Sequence, residues 1–214
     1  MSGGALSGGG VRDASLGAGR GATAAPRPAV GHLLGDPDAP ARVVVYGTFE
    51  CLHCRRAWPA LRALADDPAA GVAVEWRHFA PPGAFPNAAG AALAAEAAAR
   101  QERRGARRTS APATSGAATS GPTPDGAYWA VHEVLMTAPA PLWPERVDEF
   151  AAALGLDVPR LRRDAASDAV RARVEAQRAA ALADGVRGTP TAFLDGARLD
   201  LDDFEGLREQ VQRR

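Results

Sequence analysis

A short apolar run that leads into two cysteines constrains the fold of this chain more than any other feature. Residues 42–49 read RVVVYGTF, and the apolar side chains at 43–46 are contiguous rather than alternating. Such a run is typical of a strand buried on both faces, as in the middle of an α/β sheet. Residues 51–54 (CLHC) follow at once and open a helical pattern that ends near residue 66. The sequence therefore predicts a strand, a sharp junction, and a helix that begins at the cysteines.

Further strand patterns lie on both sides of a long middle region. Residues 72–79 (VAVEWRHF) alternate in a period of two, which indicates a second strand. Near the end of the chain, residues 191–194 and 197–199 flank Asp195-Gly196, a dipeptide that favours a two-residue hairpin turn. These patterns predict one α/β sheet that is built from both ends of the chain.

Helical patterns fill the middle of the chain and close its end. Residues 87–104 are dominated by alanine, the best helix former. Further helical patterns cover residues 128–135, 146–154, 158–183 and 202–212, with Pro144, Asp157 and Ser167 as expected helix starts. We therefore expect a sheet domain, residues 31–86 together with 184–214, that is interrupted by a helical insertion over residues 87–183.

Two segments have compositions that cannot bury enough apolar surface to fold. Residues 1–30 are rich in Gly, Ala and Ser, and residues 105–125, inside the insertion, are rich in Ser, Thr, Gly, Ala and Pro. We expect a disordered N-terminal tail and a disordered loop. The tail contains no apolar run of the length that a secretory signal needs, so we expect a cytoplasmic location. In the cytoplasm a disulfide is more often transient and catalytic than structural.

Composition excludes several classes of function. The 25 acidic and 25 basic residues balance, so no broad positive field is available to bind nucleic acid. The sequence contains no apolar stretch long enough for a membrane span. Every basic residue is arginine, which excludes chemistry that needs a Schiff-base lysine, a P-loop lysine or a kinase lysine.

The two cysteines have the spacing and the position of a reactive pair. At positions i and i+3 they share one side of a helix, where they can pair reversibly. Cys51 lies where the helix begins, so backbone N–H groups and the helix dipole are expected to lower the pKa of its thiol and make it the attacking sulfur. Cys54 lies one turn further, as the resolving thiol. The imidazole of His53, between them, is expected to stabilise the Cys51 thiolate further.

A second motif precedes the predicted hairpin at the far end of the chain. Thr189 and Pro190 stand at the entrance to the first hairpin strand, where proline can adopt a cis peptide bond. That arrangement would expose the backbone of Thr189 as an open edge for an extended peptide. We expect this loop to hold a substrate against Cys51.

Together these motifs resemble the thioredoxin superfamily and, within it, the DsbA-like thiol-disulfide oxidoreductases. The superfamily resemblance rests on the strand, the FEC-x-HC motif, a proline five residues later and the distant GTP before a strand. The predicted helical insertion and the Cys-x-His-Cys tetrad resemble the DsbA-like group. Four stretches are similar to bacterial DsbA-like thioredoxin domains, some of which are fused to sodium/proton antiporters: GDPDAPARVVVYGTFECLHC, VEWRHF, YWAVHEVL and VRGTPTAFLDG.

The resemblance covers most of residues 31–214 and implies an α/β, thioredoxin-like fold with a helical insertion. It implies Cys51 as nucleophile, Cys54 as resolving cysteine, His53 as modulator of the thiol pKa, and Thr189 and Pro190 as the cis-proline substrate loop. No metal and no organic cofactor is implied. Three departures are that Leu52 replaces the proline of DsbA itself, that Phe85-Pro86-Asn87 stands where many antiporter-fused members have His-Pro-His, and that we find no secretion signal of the kind expected of extracytoplasmic members.

The predicted function is a thiol-disulfide oxidoreductase that acts on protein or peptide dithiols and disulfides and is recycled by an unidentified redox partner. The alternative is a non-catalytic redox-sensing or partner-binding thioredoxin-like module, and an isomerase or transferase on the same fold is a third possibility. A zinc site would need two more ligands, and His32, His78 and His132 show no paired ligand spacing. We expect an exposed carboxylate at Glu50 and packing roles for the four tryptophans, Trp58, Trp76, Trp129 and Trp143.

Overall fold

The computed structural model describes residues 30–101, 127–201 and 206–213. The predicted loop over residues 105–125, and all of the predicted tail except Val30, lie outside the described residues, as do the predicted helical residues 102–104 and 202–205. The elements are β1 (His32–Leu34), β2 (Ala41–Gly47), α1 (Leu52–Asp66), β3 (Val72–His78), α2 (Ala88–Ala98), α3 (Tyr128–Thr137), α4 (Pro144–Ala153), α5 (Val158–Ala165), α6 (Asp168–Ala183), β4 (Thr191–Leu194), β5 (Ala197–Leu199) and α7 (Leu207–Gln212).

The five strands form one mixed sheet in the order β1-β3-β2-β4-β5. Strands β2 and β3 are parallel, with Val45 opposite Trp76, and the other neighbours are antiparallel. Strand β2 is central, which accounts for its contiguous apolar run. Because β2 and β4 run in opposite directions, the end of β2 and the start of β4 lie at the same edge of the sheet.

Helices cover both faces of this sheet. Successive side chains of a strand point to opposite faces. Val43 and Val45 belong to the main core, which also includes residues of α1 and α3. Tyr46 belongs to a smaller cluster on the other face, with Ala181 of α6. The side chain of Gln177, also on α6, accepts a hydrogen bond from the backbone N–H of His78 at 2.6 Å.

Beneath α1 the main core is aromatic. The ring of His132 lies 4.3 Å from that of Trp58 and 4.7 Å from that of Trp76, measured between centroids. Trp58 also stacks on Trp129 at 6.0 Å. The packing role predicted for these three tryptophans is confirmed. The prediction for Trp143 is wrong: it is 54% exposed, because it lies before the first turn of α4, outside the packed face of that helix.

Local capping and turn chemistry set the element boundaries. The side chains of Asp157 and Ser167 accept hydrogen bonds from the backbone N–H groups of Arg160 and Val170 and so begin α5 and α6. Asp195 and Gly196 both adopt positive φ, 47° and 91°, as the tight hairpin requires. The helix starts and the hairpin are therefore confirmed. The boundaries of the helical insertion stay a prediction.

Candidate active site

Cys51 is the N-cap residue of α1. Its backbone is extended, with φ −79° and ψ 118°, and its sulfur accepts a hydrogen bond from the backbone N–H of Cys54 at 3.5 Å. The sulfur thus accepts a hydrogen bond from one of the N–H groups that have no partner within the helix at its start. Both cysteines are buried free thiols. The predicted position of Cys51 at the start of the helix is confirmed.

The two thiols have opposite acid strengths. The hydrogen bond from the Cys54 side chain is the largest cause that lowers the pKa of Cys51, which falls to about 5 although burial opposes it. Backbone N–H groups of Cys54 and His53 and the Thr189 side chain lower this pKa further. Burial is the main cause that raises the pKa of Cys54 well above its usual value. At neutral pH the pair is therefore one thiolate and one thiol, the asymmetry that an attacking and a resolving sulfur require.

The Thr189–Pro190 loop lies against Cys51. The Thr189–Pro190 peptide bond is cis. When protonated, the Cys51 thiol donates a hydrogen bond to the carbonyl oxygen of Thr189 at 3.3 Å. At the other end of the loop, the hydroxyl of Thr191 donates to the carbonyl oxygen of Gly188 at 2.9 Å. The structure thus brings together two predicted site segments that lie far apart in sequence.

An open groove of about 530 Å³ lies beside this loop. The groove is lined by His53, by the Thr189–Pro190 loop, and by strand β5 together with the residues that follow it. The loop contributes Thr189, Pro190 and Thr191, and the strand and the residues after it contribute Arg198, Leu199, Asp200 and Leu201. The imidazole of His53 is on the exposed side of α1, whereas its backbone N–H acts on Cys51. Tuning of the Cys51 pKa by the imidazole stays a prediction.

The expectation of an exposed carboxylate at Glu50 is wrong. Glu50 is partly buried and accepts hydrogen bonds from the backbone N–H and side-chain amide of Asn87 at 3.2 and 3.1 Å. It also accepts one from the backbone N–H of Leu142 at 2.9 Å. These donors come from two segments that the fold brings to the start of α1, so the carboxylate exchanges water for protein donors.

Arg55, the residue after Cys54, is a neighbour of the site that sequence reasoning missed. Its guanidinium donates to the carbonyl oxygen of Phe49 at 2.5 Å and to those of Ala138 and Leu135 near the end of α3. No local pattern could reveal this, because two of the three acceptors are backbone groups more than 75 residues away.

Metal-binding clusters and membrane-spanning helices were sought among the described residues. Within residues 30–101, 127–201 and 206–213, no group of three or more His, Cys, Asp and Glu side chains is placed to hold a metal ion. In the same part of the chain, each helix is too short or too polar to cross a membrane.

Comparison with protein families gives a match over residues 42–212 to the DSBA-like thioredoxin domain. Two relatives are named Na(+)/H(+) antiporters. One, from Salinispora tropica, is 34% identical over 167 residues, 78% of this chain and 22% of the relative. Another, from Herminiimonas arsenicoxydans, is 34% identical over 175 residues, 80% of this chain and 23% of the relative. The chain therefore spans less than a quarter of the length of these relatives.

Solved structures match most of the chain. A thioredoxin-like oxidoreductase from Silicibacter pomeroyi superposes with a TM-score of 0.65 at 24% identity, covering 86% of this chain and 94% of the other. BdbD from Bacillus subtilis superposes with a TM-score of 0.64 at 19% identity, covering 86% and 92%. At these identities the likeness establishes the thioredoxin-like fold. With the family match over most of its length, the chain belongs to the family of DSBA-like thioredoxin domains.

Proposed function

We propose that the chain is a thiol-disulfide oxidoreductase that acts on protein or peptide dithiols and disulfides through Cys51, Leu52, His53 and Cys54. One observation carries this proposal: the Cys51 sulfur has a pKa of about 5 and lies 3.3 Å from the Thr189 carbonyl oxygen. A stable thiolate beside an accessible backbone edge is suited to exchange with a cysteine in an extended segment. Membership in the DSBA-like family supports the same proposal.

In the oxidising direction, a substrate thiolate attacks the Cys51 sulfur of the Cys51–Cys54 disulfide and forms a mixed disulfide. The bond between the two cysteines breaks, and Cys54 leaves and takes up a proton because its pKa is raised. A second substrate thiolate then attacks the substrate sulfur and releases Cys51 as a thiolate, a good leaving group at its low pKa. Two electrons pass to the protein, and of the two substrate protons one stays on Cys54 and one enters solvent.

In the reducing direction, the Cys51 thiolate attacks a substrate disulfide and releases one substrate sulfur as a thiolate. Cys54 then loses its proton and attacks Cys51, which closes the disulfide and releases the second substrate sulfur. In both directions the backbone of Thr189 and Pro190 holds the substrate strand. A separate thiol or disulfide partner restores the pair after each turnover.

A trapping experiment tests this proposal. The Cys54→Ala variant lacks the resolving thiol, so it should accumulate mixed disulfides with cellular proteins that disappear on reduction. The double variant Cys51→Ala/Cys54→Ala is the matched control and should trap nothing. An empty trap with the single variant would count against the proposal.

Turnover distinguishes an enzyme from the alternative redox-sensing or partner-binding module. With a regenerating reductant, the wild-type protein should reduce insulin disulfides catalytically. A module that changes its own redox state without turnover would leave insulin intact while still cycling its cysteine pair. The cytoplasmic location stays a prediction, which fractionation and immunoblotting of cells that make the protein would check.

A further inference from the structure

Two charged residues flank the cysteine pair in the sequence, Glu50 directly before Cys51 and Arg55 directly after Cys54. We propose that these two charges are positioning residues that shift the reduction potential of the pair in opposite directions, each held in place by segments of the helical insertion. This inference rests on the proposed oxidoreductase function and deepens it.

The guanidinium of Arg55 is fixed beside the start of α1. Its Nε donates to the carbonyl oxygen of Phe49, two residues before Cys51, which holds the side chain against the start of α1. Its other bonds go to the carbonyl oxygens of Leu135 and Ala138. All three acceptors are neutral. Within the described part of the chain, no carboxylate lies within ion-pair distance of this guanidinium, so its positive charge is not cancelled by a direct partner.

The carboxylate of Glu50 is fixed in the same manner with the opposite sign. Its three hydrogen bonds come from the backbone and side-chain amides of Asn87 and from the backbone N–H of Leu142. These donors are neutral as well, and among the described residues no arginine or histidine forms an ion pair with Glu50. Both side chains are partly buried, so solvent screens their charges less than on an open surface.

Arg55 lies within electrostatic range of Glu50 and of both cysteines. Burial lowers the pKa of Arg55, and the negative charges of Glu50, Cys51 and Cys54 oppose this. Glu50 directly precedes Cys51 in the chain, so its carboxylate belongs to the residue next to the attacking sulfur. Other titratable or charged groups line the groove beside the Thr189–Pro190 loop: His53 on α1 and, across the groove, Arg198 and Asp200. None of the variants proposed below changes them.

The sign of each effect follows from the ionisation of Cys51. The thiolate exists only in the reduced state, so a nearby cation stabilises that state and raises the potential. A nearby anion destabilises the thiolate and lowers the potential. Arg55 therefore makes the disulfide a stronger oxidant, and Glu50 makes it a weaker one.

The experiment measures the equilibrium of the cysteine pair with glutathione and the pH profile of Cys51 alkylation. Arg55→Met should shift the equilibrium toward the disulfide and raise the pKa of Cys51, whereas Glu50→Gln should shift both the opposite way. Each shift should be about threefold to tenfold, a tenfold change being about 30 mV. Arg55→Lys retains the charge and should restore most of the wild-type value. The matched control, Arg56→Met, removes an exposed arginine that forms no ion pair among the described residues and should change neither quantity.

Three results would overturn the inference: shifts of the same sign in Arg55→Met and Glu50→Gln, no shift in either, or an Arg55→Lys variant that behaves like Arg55→Met. Shifts of the same sign would mean that both residues act only by holding segments of the helical insertion in place, and not through their charges. If Arg55→Met fails to fold, Glu50→Gln still tests the predicted sign of the shift by itself, because glutamine keeps one acceptor oxygen. A wild-type protein that forms no internal disulfide would defeat the proposed function, yet the alkylation profile would still test the charges, since it needs only the Cys51 thiol.

Discussion

The substitution Cys54→Ala removes the side-chain hydrogen bond that lowers the pKa of Cys51 the most. A hydrogen bond to a charged group contributes about 1.5–3 kcal/mol. Since one pKa unit equals about 1.4 kcal/mol, its loss corresponds to about one to two units. In Cys54→Ala the pKa of Cys51 should therefore rise from about 5 to between about 6 and about 7. The backbone N–H groups of His53 and of residue 54 then remain as donors.

The matched variant Cys54→Ser retains an O–H donor at the same position, so Cys51 should keep a pKa near 5. The assay is the rate of iodoacetamide alkylation of the single remaining cysteine between about pH 4 and about pH 9, because only the thiolate reacts. Equal pKa values in the alanine and serine variants would refute the reasoning, since the Cys54 donor would then contribute nothing. A pKa near 5 in both would assign the effect to the remaining donors, namely the backbone N–H groups at the helix start and Thr189.

Two further predictions concern stability, measured by urea denaturation. A Cβ atom at Gly47 would lie 2.3 Å from the Trp76 ring and 3.2 Å from the Cys54 sulfur, so Gly47→Ala should destabilise the fold by roughly 1–3 kcal/mol. Its control is Gly90→Ala in α2, where a Cβ meets nothing within 4 Å and should stabilise by about 0.5–1 kcal/mol. Burial lowers the pKa of His78 from 6.5 to about 4, so the unfolded chain takes up a proton first as the pH falls. As the pH falls from about 6.5 to about 4, the free energy of unfolding should decrease by up to about 3 kcal/mol, and by less in His78→Gln. Equal losses in both proteins would contradict this.

Features with local causes could be predicted from the sequence. The hairpin at Asp195-Gly196 follows from turn chemistry, and the helix starts after Asp157 and Ser167 follow from capping. The junction at Cys51 was predictable because an apolar strand pattern changes to a helical one within a few residues.

Features with distant causes could not be predicted in this way. Glu50 binds donors 37 and 92 residues away, and its own neighbours in the sequence give no indication of them. Strand β1 has only three residues, too few for a clear period, and it is defined by its pairing with β3. Trp143 is exposed because of where the fold places the start of α4, although a tryptophan is more often packed.

The contact between Cys51 and Thr189 joins residues 138 positions apart in the chain. At the usual 5–20 residues per second, a ribosome needs on the order of 10 s to travel that distance. During this interval the newly made cysteine pair exists without strand β4 and without the wall that would receive a substrate. Since the sequence contains two cysteines in total, the one disulfide that it can form within itself during this interval joins Cys51 to Cys54.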